Sequence, residues 1–411
     1  MRWMLWTVAA LMLGRVAVAA AQDPQAAQRL PEGAGKTITA ANCLQCHGAE
    51  RLATPGYDHD GWQRVIQRMI RMGAGVHPAE VPVLAAYLAH NFPAQPAPTA
   101  VLVPGQTHVS FKEWDVLTQG AFPHDPYAAA DGAIWYTGQH ASVLGRIDPQ
   151  SGSIKEYPTT TADAGPHGLT ADAAGNIWFT ANYAGYVGKL DPRTGVITNY
   201  RMPDAAARDP HTPVFDRHGI LWFTVQAGNM VGRLDPASGV VKLLRVPTEH
   251  ALPYGIVINS AGVPFFAEFG SNRIGSIDPG TLVIKEHVLP EAGARPRRIA
   301  LTPDDVVWYS DYARGYLGKL DPASGATQEW PCPAGSQAHP YGITVSRGII
   351  WFSESGVQPN TLVRFDPHSL QFQSWAIPAG GGVVRNMMPT ADGSLVLAES
   401  GVGKLALVSI N

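Results

Sequence analysis

Short apolar strands recur along the C-terminal three quarters of the chain at a nearly constant interval. The steps between copies are 43, 44, 43, 43, 43 and 46 residues. The copies are IWYT at 134, IWFT at 177, LWFT at 221, PFFA at 264, VWYS at 307, IWFS at 350 and a degenerate VLAE at 396. A period of about 40 to 45 residues with about four short strands is typical of a β-propeller blade. The pattern therefore predicts seven blades.

The segments between these strands have the sequence of hairpins. Most copies are followed by an Asp-Pro turn such as GKLDPRTG and then by another short strand such as IKEYP. The last repeat ends at KLALVSIN, its third strand, whereas SFKEWDVL at 110–117 looks like the fourth strands. We therefore expect the strand at 110–117 to complete the last blade, which closes the ring and removes two open sheet edges.

The N-terminal part has a different, helical period. In GWQRVIQRMIRMGAG the apolar residues recur at helical spacing, from Trp62 through Ile66 to Ile70. A second helix is predicted from Pro78 through EVPVLAAYLAHNF. Residues 94–107 are rich in Pro and Ala, which is typical of a semi-rigid linker. The predicted fold is a small all-α domain at 36–93 followed by an all-β seven-bladed β-propeller at 108–411.

Composition agrees with a turn-rich β protein. The 411 residues include 43 Gly and 34 Pro, 15% are charged, and the net charge is −3 without a basic stripe, so we expect no nucleic-acid partner. Residues 1–21 have a short positive start, an apolar run interrupted by Arg15 and small-x-small cleavage sites. They predict a secretory signal peptide, with a retained membrane anchor as the alternative. We expect a periplasmic or secreted protein with no membrane span after signal cleavage.

The signal for chemistry in the N-terminal domain is ANCLQCHGAE, in which Cys43, Cys46 and His47 form C-x-x-C-H. A disulfide or redox pair is one alternative, and zinc is another, but zinc needs about four protein ligands and the chain has only three cysteines. The histidine that follows favours covalent attachment of haem c, with His47 as an axial ligand of the iron. Cys332 has no partner in its domain, and we expect it to be a partly buried thiol without a function.

The second axial ligand must come from further along the chain. Met69 and Met72 are the candidates, because a thioether ligand raises the haem potential; Met69 is preferred, since it lies on the Trp62 face of the predicted helix. His59 and His77 are weaker alternatives. Residues 36–93 resemble a small class I cytochrome c, with a haem motif, a W-x6-M-x3-G helix and a closing helix. The resemblance implies electron transfer to a redox partner protein.

The predicted propeller offers a second set of candidate residues. Each repeat has a first strand that opens with one variable residue, mostly after a proline. These residues recur at steps of 43, 44, 43, 43, 44 and 44 and are His124, His167, His211, Tyr254, Arg297, Tyr341 and Arg385. Because they are equivalent in every blade, we expect them to form one ring at the central channel, here called the channel ring.

The channel ring has two interpretations. It is either a cap of water-bound polar groups or a binding or catalytic site. The histidines fall on blades one to three, whereas the arginines fall on blades five and seven, with Arg295 and Arg298 close by. An anionic group could be held on the arginine side.

The repeats also resemble a known family. PHGLTADAAGNIWFT, YVGKLDPRTG and PYGITV are similar to motifs of the virginiamycin B lyase (streptogramin lyase) family, over about 108–411. The resemblance implies a seven-bladed propeller that opens a cyclic depsipeptide at its ester by elimination. It also implies a histidine base, a Mg²⁺ ion held partly by acidic residues and a substrate-binding histidine one blade earlier.

The resemblance places the two family histidines on the last two blades, where this chain has Tyr341 and Arg385. A register rotated around the ring gives His211 as the base and His167 as the substrate contact, followed by Tyr254. In that register the Mg²⁺ ligands are Asp209 and, where a second acid is expected, Gln226. Three acids that end aromatic strands could compensate for the glutamine or could be polar rim residues: Glu268, Glu354 and Glu399.

Three functions follow from these features. The first is an exported monohaem electron carrier whose propeller binds a small molecule or a redox partner. The second is an enzyme, either a Mg²⁺-dependent lyase or a haem-coupled periplasmic oxidoreductase, and the third is a ligand-binding sensor or scaffold. Elimination is redox-neutral and needs no haem, so the combination of motifs argues against a simple lyase.

Overall fold

The computed structural model describes residues 28–44, 52, 56–71 and 74–411. It divides the chain into two compact units, Met1–Pro96 and Ala97–Asn411. The predicted signal peptide lies outside the described residues, as do Cys46, His47 and Met72. Within the described part of the chain, every helix is too short or too polar to cross a membrane.

The first unit is helical. Its α-helices are α1 (Lys36–Asn42), α2 (His59–Arg71) and α3 (Val81–Asn91), and a 3-10 turn, Pro78–Glu80, precedes α3. The helix predicted around Trp62 is therefore confirmed. The second predicted helix is confirmed with a modified start, because the His77 side chain accepts a hydrogen bond from the Ala79 N–H and caps the 3-10 turn.

An apolar cluster joins the three helices. Trp62 and Ile66 of α2 pack with Leu84 and Leu88 of α3, and all four side chains are buried. Helix α1 begins next to Gly35, where a Cβ atom would overlap the Tyr87 side chain of α3. The absence of a side chain at Gly35 thus allows the start of α1 to touch α3.

The second unit consists of seven four-stranded antiparallel sheets. Blade one contains β2 (Pro123–Ala128), β3 (Ile134–Gly138), β4 (Val143–Ile147) and β5 (Ile154–Pro158). Blade two contains β6 (Pro166–Ala171), β7 (Ile177–Ala181), β8 (Tyr186–Leu190) and β9 (Ile197–Arg201). Blade three contains β10 (Pro210–Phe215), β11 (Leu221–Val225), β12 (Met230–Asp235) and β13 (Val240–Arg245).

The remaining blades repeat this order. Blade four contains β14 (Pro253–Ile258), β15 (Pro264–Glu268), β16 (Arg273–Ile277) and β17 (Ile284–Val288). Blade five contains β18 (Pro296–Leu301), β19 (Val307–Asp311), β20 (Tyr316–Leu320) and β21 (Thr327–Pro331). Blade six contains β22 (Pro340–Ser346), β23 (Ile349–Glu354), β24 (Thr361–Asp366) and β25 (Gln371–Ala376). Blade seven contains β26 (Val384–Pro389), β27 (Leu395–Glu399), β28 (Lys404–Ile410) and β1 (Val109–Asp115).

The ring closes as the sequence predicts. Strand β1 pairs antiparallel with β28, so that Val109 lies opposite Ile410 and Asp115 opposite Lys404. The first strand of each blade contacts the first strand of the next, including β26 with β2. The first strands therefore surround the central channel, and the seven-bladed propeller is confirmed.

The repeated glycine of the third strands has a packing role. A Cβ atom at Gly188 would overlap the Phe179 ring of β7, and one at Gly318 would overlap the Tyr309 ring of β19. The second-strand aromatic ring lies directly over the glycine of the neighbouring strand. This contact explains why aromatic strands and Gly-Lys-Leu-Asp-Pro turns recur together in the sequence.

Two sequence expectations are modified by the structure. The stretch predicted as a linker lies along blade six: Val103 N–H donates to Ser374 Oγ at 2.8 Å, and Ser374 N–H donates to the Val103 carbonyl at 2.9 Å. It covers the outer strand β25, which would otherwise be an open edge. Cys332 is only 4% exposed and packs in an apolar cluster with residues of blades five and six, so it is a core residue and not a partly buried thiol.

The first strand of every blade carries a bulge at its start. In blade three the pairing with the second strand skips from Pro210 to Pro213, and the other six blades show the same shift. A bulge leaves its residues unpaired and turns their side chains out of the regular alternation. The skipped residues include every member of the channel ring.

A hydroxyl group on the second strand satisfies the bulge. Thr224 Oγ1 accepts a hydrogen bond from the Thr212 N–H at 3.2 Å and donates one to the Tyr254 carbonyl of the next blade at 2.6 Å. This bridge, here called the blade latch, occurs in five blades. Its residues are Thr137, Thr180, Thr224, Ser310 and Ser353. Four latches fix the carbonyl of a channel-ring residue to the preceding blade, and Ser353 fixes the carbonyl of Val384, the residue before Arg385.

We predict that Thr224→Val lowers the free energy of unfolding by about 2 to 4 kcal/mol, because a buried N–H and a buried carbonyl both lose their partner. Thr224→Ser is the matched control: it keeps the hydroxyl and removes one methyl group, worth about 0.8 kcal/mol. Urea denaturation of both variants measures the difference. Equal losses in the two variants would contradict the latch.

Candidate functional site

The structure gathers the residues of the channel ring at the centre of the propeller. On one side the aromatic rings lie in a row: the centroids of His124 and His167 are 3.6 Å apart, those of His167 and His211 are 3.6 Å apart, and those of His211 and Tyr254 are 3.8 Å apart. These four side chains are at most 3% exposed. The equivalent positions in the repeats thus form one continuous row of rings over blades one to four, each ring tilted by 41 to 55° against the next.

Local hydrogen bonds orient two of the three histidines. His124 Nδ1 lies 2.9 Å from Asp125 Oδ1, and His211 Nδ1 lies 3.0 Å from Thr212 Oγ1. Each partner is the next residue in the same bulge. His167 is followed by Gly168, which offers no side chain, and its Nδ1 is buried without a hydrogen-bond partner in the described part of the chain. His167 therefore has a ring nitrogen available to a ligand.

The other side of the channel ring is cationic. The Arg297 guanidinium carbon lies 3.7 Å from the centroid of the Tyr341 ring, and three further aromatic rings lie within about 5 Å of it: Tyr312, Phe269 and Tyr254. Arg385 lies 5.6 Å from the Tyr341 ring and 4.8 Å from Phe122. The hydroxyls of Tyr254 and Tyr341 are hydrogen bonded to each other.

An ion pair joins the two sides. Arg298 of blade five donates to both carboxylate oxygens of Asp125 of blade one, at 2.6 and 3.2 Å. Both residues are at most 3% exposed. The sequence pattern placed Arg298 only near the ring and gave no role to Asp125. Each bulge contains two residues, the variable residue and the one after it. The position after each variable residue therefore also belongs to the channel, and examining that position in the repeats would have found Asp125 and Arg298.

Burial and the arginines determine the charge of the histidines. Burial lowers the pKa of His124, His167 and His211 well below the usual value of 6.5, and the nearby guanidinium groups lower it further. The imidazoles are therefore neutral near pH 7. A neutral imidazole can accept a proton or ligate a metal, so the site keeps both kinds of chemistry.

Three potential metal ligands lie close together. Ligand atoms of His124, Asp125 and His167 all lie within 4.8 Å of one another. Asp125, however, is already the acceptor for Arg298 through both oxygens. The guanidinium groups that lower the histidine pKa values also repel a cation, so the arrangement favours an anion at the channel over a metal ion.

The residues predicted to bind Mg²⁺ are placed differently. Asp209 has a φ of 66°, precedes the bulge of β10 and accepts a hydrogen bond from the Asn182 side chain. Burial raises its pKa well above the usual value, which favours the neutral acid over the anion that Mg²⁺ needs. The Gln226 N–H donates to the Asp209 carbonyl at 2.9 Å, which joins the two segments through the backbone.

Two of the three acids at the ends of second strands form hydrogen bonds within their own blades. Glu268 accepts a hydrogen bond from Ser271 Oγ, and Glu354 accepts one from Thr361 Oγ1 of β24. Glu399 is fully buried, both of its carboxylate oxygens lack a partner in the described residues, and burial raises its pKa to about 8. Glu268 thus stabilises the loop after β15, and Glu354 links β23 to β24.

We predict that acid destabilises the protein through the three histidines of the channel ring. Each histidine pKa is lower in the folded than in the unfolded state, so the unfolded state binds more protons below about pH 6.5, and each histidine costs up to about 1.4 kcal/mol per pH unit there. His167→Gln should reduce the slope of unfolding free energy between pH 7 and 5, whereas His218→Gln, at an exposed position, should leave it unchanged. Urea denaturation at several pH values gives the slopes; an identical slope for His167→Gln would exclude this role.

Comparison with known proteins concerns the propeller. The family model described as the virginiamycin B lyase family matches residues 105–268 and 216–411. No curated protein matches the chain.

Solved structures give the same result. The chain is 27% identical to a streptogramin B lyase, with a TM-score of 0.68 over 74% of this chain and 98% of that one. It is 25% identical to virginiamycin B lyase from Staphylococcus aureus, with a TM-score of 0.66 over 74% of this chain and 99% of that one. A catalytically inactive variant of the S. aureus enzyme with quinupristin is 24% identical, with a TM-score of 0.68 over 74% and 99% of the two chains, and shows the fold alone. The chain belongs to the virginiamycin B lyase family.

Proposed function

We propose that this protein is an exported monohaem c-type cytochrome with an electron-transfer role, whose propeller binds a small molecule or a redox partner at the channel ring. The observation that carries the haem half is the C-x-x-C-H sequence together with the position of its first residue, Cys43. Helix α1 ends at Asn42 and Cys43 follows it directly. The motif thus begins where a helix fixed against α3 at Gly35 ends.

Two of the proposed haem ligands, Cys43 and Met69, lie among the described residues. Cys43 is half-buried and packs against the apolar cluster of the helical unit. Met69 of α2 is also half-buried. The donors are two thiols for covalent attachment, Cys43 and Cys46, with His47 and Met69 as axial ligands.

A haem held by these residues supplies one-electron chemistry. The protein contributes the two thiols that fix the group to the chain and an apolar surface beside them. A thioether from Met69 would raise the potential relative to a ligand of nitrogen type. The proposed electron carrier is an exported protein. The signal peptide predicted for residues 1–21 agrees with this location.

We predict that protein produced with haem-maturation machinery is coloured, keeps its haem under denaturing conditions and shows a reduced-minus-oxidised spectrum. Met69→Ala should lower the reduction potential and change the spectrum of the oxidised protein, because the thioether is lost. Met72→Ala is the matched control and should change neither. Colourless protein would refute haem attachment, and an unchanged potential in Met69→Ala would refute this ligand.

A second candidate function is a lyase, favoured by membership of the family. In the rotated register His211 is the base, His167 contacts substrate, and Asp209 and Gln226 bind Mg²⁺. Burial lowers the pKa of His211 well below its usual value, which keeps the imidazole neutral but makes it a weaker base. The raised pKa of Asp209 and the amide at Gln226 weaken the proposed Mg²⁺ site. The arginine side of the ring has no role in this scheme.

We expect no linearised product when the purified protein is incubated with quinupristin and Mg²⁺, because the electron-transfer role needs no elimination. Product analysis by mass spectrometry checks this. If product forms, depends on Mg²⁺ and disappears in His211→Ala, the lyase function replaces ligand or partner binding as the role of the propeller.

A further inference from the structure

The channel ring holds more positive charge than it neutralises. Three guanidinium groups converge there, from Arg297, Arg298 and Arg385, and only Arg298 forms an ion pair, with Asp125. Neither of the other two guanidinium groups pairs with a carboxylate in the described part of the chain. Since the three histidines are neutral near pH 7, the ring carries an excess of about two positive charges.

The aromatic cage compensates this charge only in part. Arg297 lies against the faces of Tyr341, Tyr312, Phe269 and Tyr254. Cation–π contacts contribute about 0.5 to 2 kcal/mol each. Removing a charged group from water costs several kcal/mol, and an unpaired buried charge is strongly destabilising. A counter-ion at the ring would therefore gain a large electrostatic free energy.

The two unpaired arginines are less buried than the other members of the ring. Arg297 and Arg385 are half-buried, whereas the three histidines, Tyr254 and Tyr341 are at most 3% exposed. Both guanidinium carbons lie within 5.6 Å of the Tyr341 ring. The Nε–H groups of Arg297 and Arg385 are buried and have no hydrogen-bond acceptor in the described residues. These two arginines are therefore the least buried donors of the channel ring.

The Tyr341 hydroxyl lies close to the positively charged groups of the channel ring. It accepts a hydrogen bond from Arg385 at 3.4 Å and contacts the Tyr254 hydroxyl. Burial opposes ionisation of Tyr341, but the guanidinium groups of Arg297, Arg385 and Arg298 outweigh it and lower the pKa to about 8. The protein thus favours a negative oxygen at this point even from one of its own side chains.

From this geometry we propose that the channel ring binds an oxyanion, the carboxylate or phosphate group of a small molecule, between Arg297 and Arg385 beside the Tyr341 hydroxyl. The inference rests on the small-molecule half of the proposed function and names the ligand chemistry. Arg forks bind both kinds of oxyanion through paired N–H donors. The Arg298–Asp125 pair fixes the opposite wall, and His167 Nδ1 offers a further polar contact on the histidine side.

The test is calorimetric titration of the full chain with sodium acetate and, separately, with sodium phosphate, in an amine chloride buffer at constant ionic strength. We expect saturable binding of at least one probe. Arg385→Gln should weaken it at least tenfold, and Arg385→Lys, which keeps the charge, by about threefold. Arg146→Gln is the control for loss of an arginine elsewhere, since Arg146 pairs with Asp131 on blade one.

The outcome separates the ligand sources. Binding of acetate alone assigns carboxylates, binding of phosphate alone assigns phosphates, and binding of both assigns the shared oxyanion chemistry. No binding of either probe to the wild type, or equal affinity in Arg385→Gln, overturns the proposal. The measurement does not depend on haem, so a colourless protein that binds the anion would refute only the electron-transfer role.

A second measurement uses the wild type alone. The absorbance of tyrosinate should show one group titrating near pH 8, and saturating probe should move that midpoint upward, because a bound anion screens the arginines from Tyr341. The charged and titratable groups that face Tyr341 are Tyr254, Tyr312, Arg297, Arg298 and Arg385. A midpoint unchanged by the probe that binds would overturn this location.

Discussion

The hydroxyl bridge between adjacent blades is the interaction on which the rest of the propeller site depends. A bulge frees two residues of each first strand from the ladder, which turns their side chains into the channel but exposes a backbone N–H. Thr137, for example, accepts from the Asp125 N–H and donates to the His167 carbonyl. The same hydroxyl thus compensates the bulge and positions the next ring residue. Blades four and seven have alanine there, and Ser400 binds the Pro123 carbonyl at the junction of blades seven and one.

The charge distribution of the ring follows from this rigid placement. The side chains of the ring are held at fixed positions in a buried channel. Burial and the neighbouring charges therefore lower the pKa values of the three histidines, and their imidazoles remain neutral. Arginine cannot become neutral in the same way, because its guanidinium group does not deprotonate in proteins. One guanidinium is therefore paired across the channel with Asp125, and one lies within a cage of aromatic rings. The polarity of the site, neutral on one side and cationic on the other, is the main constraint on what it binds.

The family match concerns the fold of the propeller. The propeller of this chain matches streptogramin lyases over almost their whole length. Yet two positions where the family resemblance implies histidines are occupied by Tyr341 and Arg385, and both contribute to the cationic side. A shared fold with an altered ring is expected when function depends on a few side chains grafted on a stable frame. The helical unit adds a second, chemically different candidate site to the same chain.

The sequence alone determined the number of blades, the closing strand and the equivalence of the ring positions, because each is written as a periodic pattern. It also determined the helices around Trp62 and Tyr87, since their apolar spacing is regular. Tertiary structure decided what repeats cannot encode. Asp125 and Arg298 are 173 positions apart in sequence and become partners only when the ring closes. The pKa values of the histidines and Tyr341 likewise depend on burial and on charges from other blades. These properties arise from distances across the channel, which no single repeat contains.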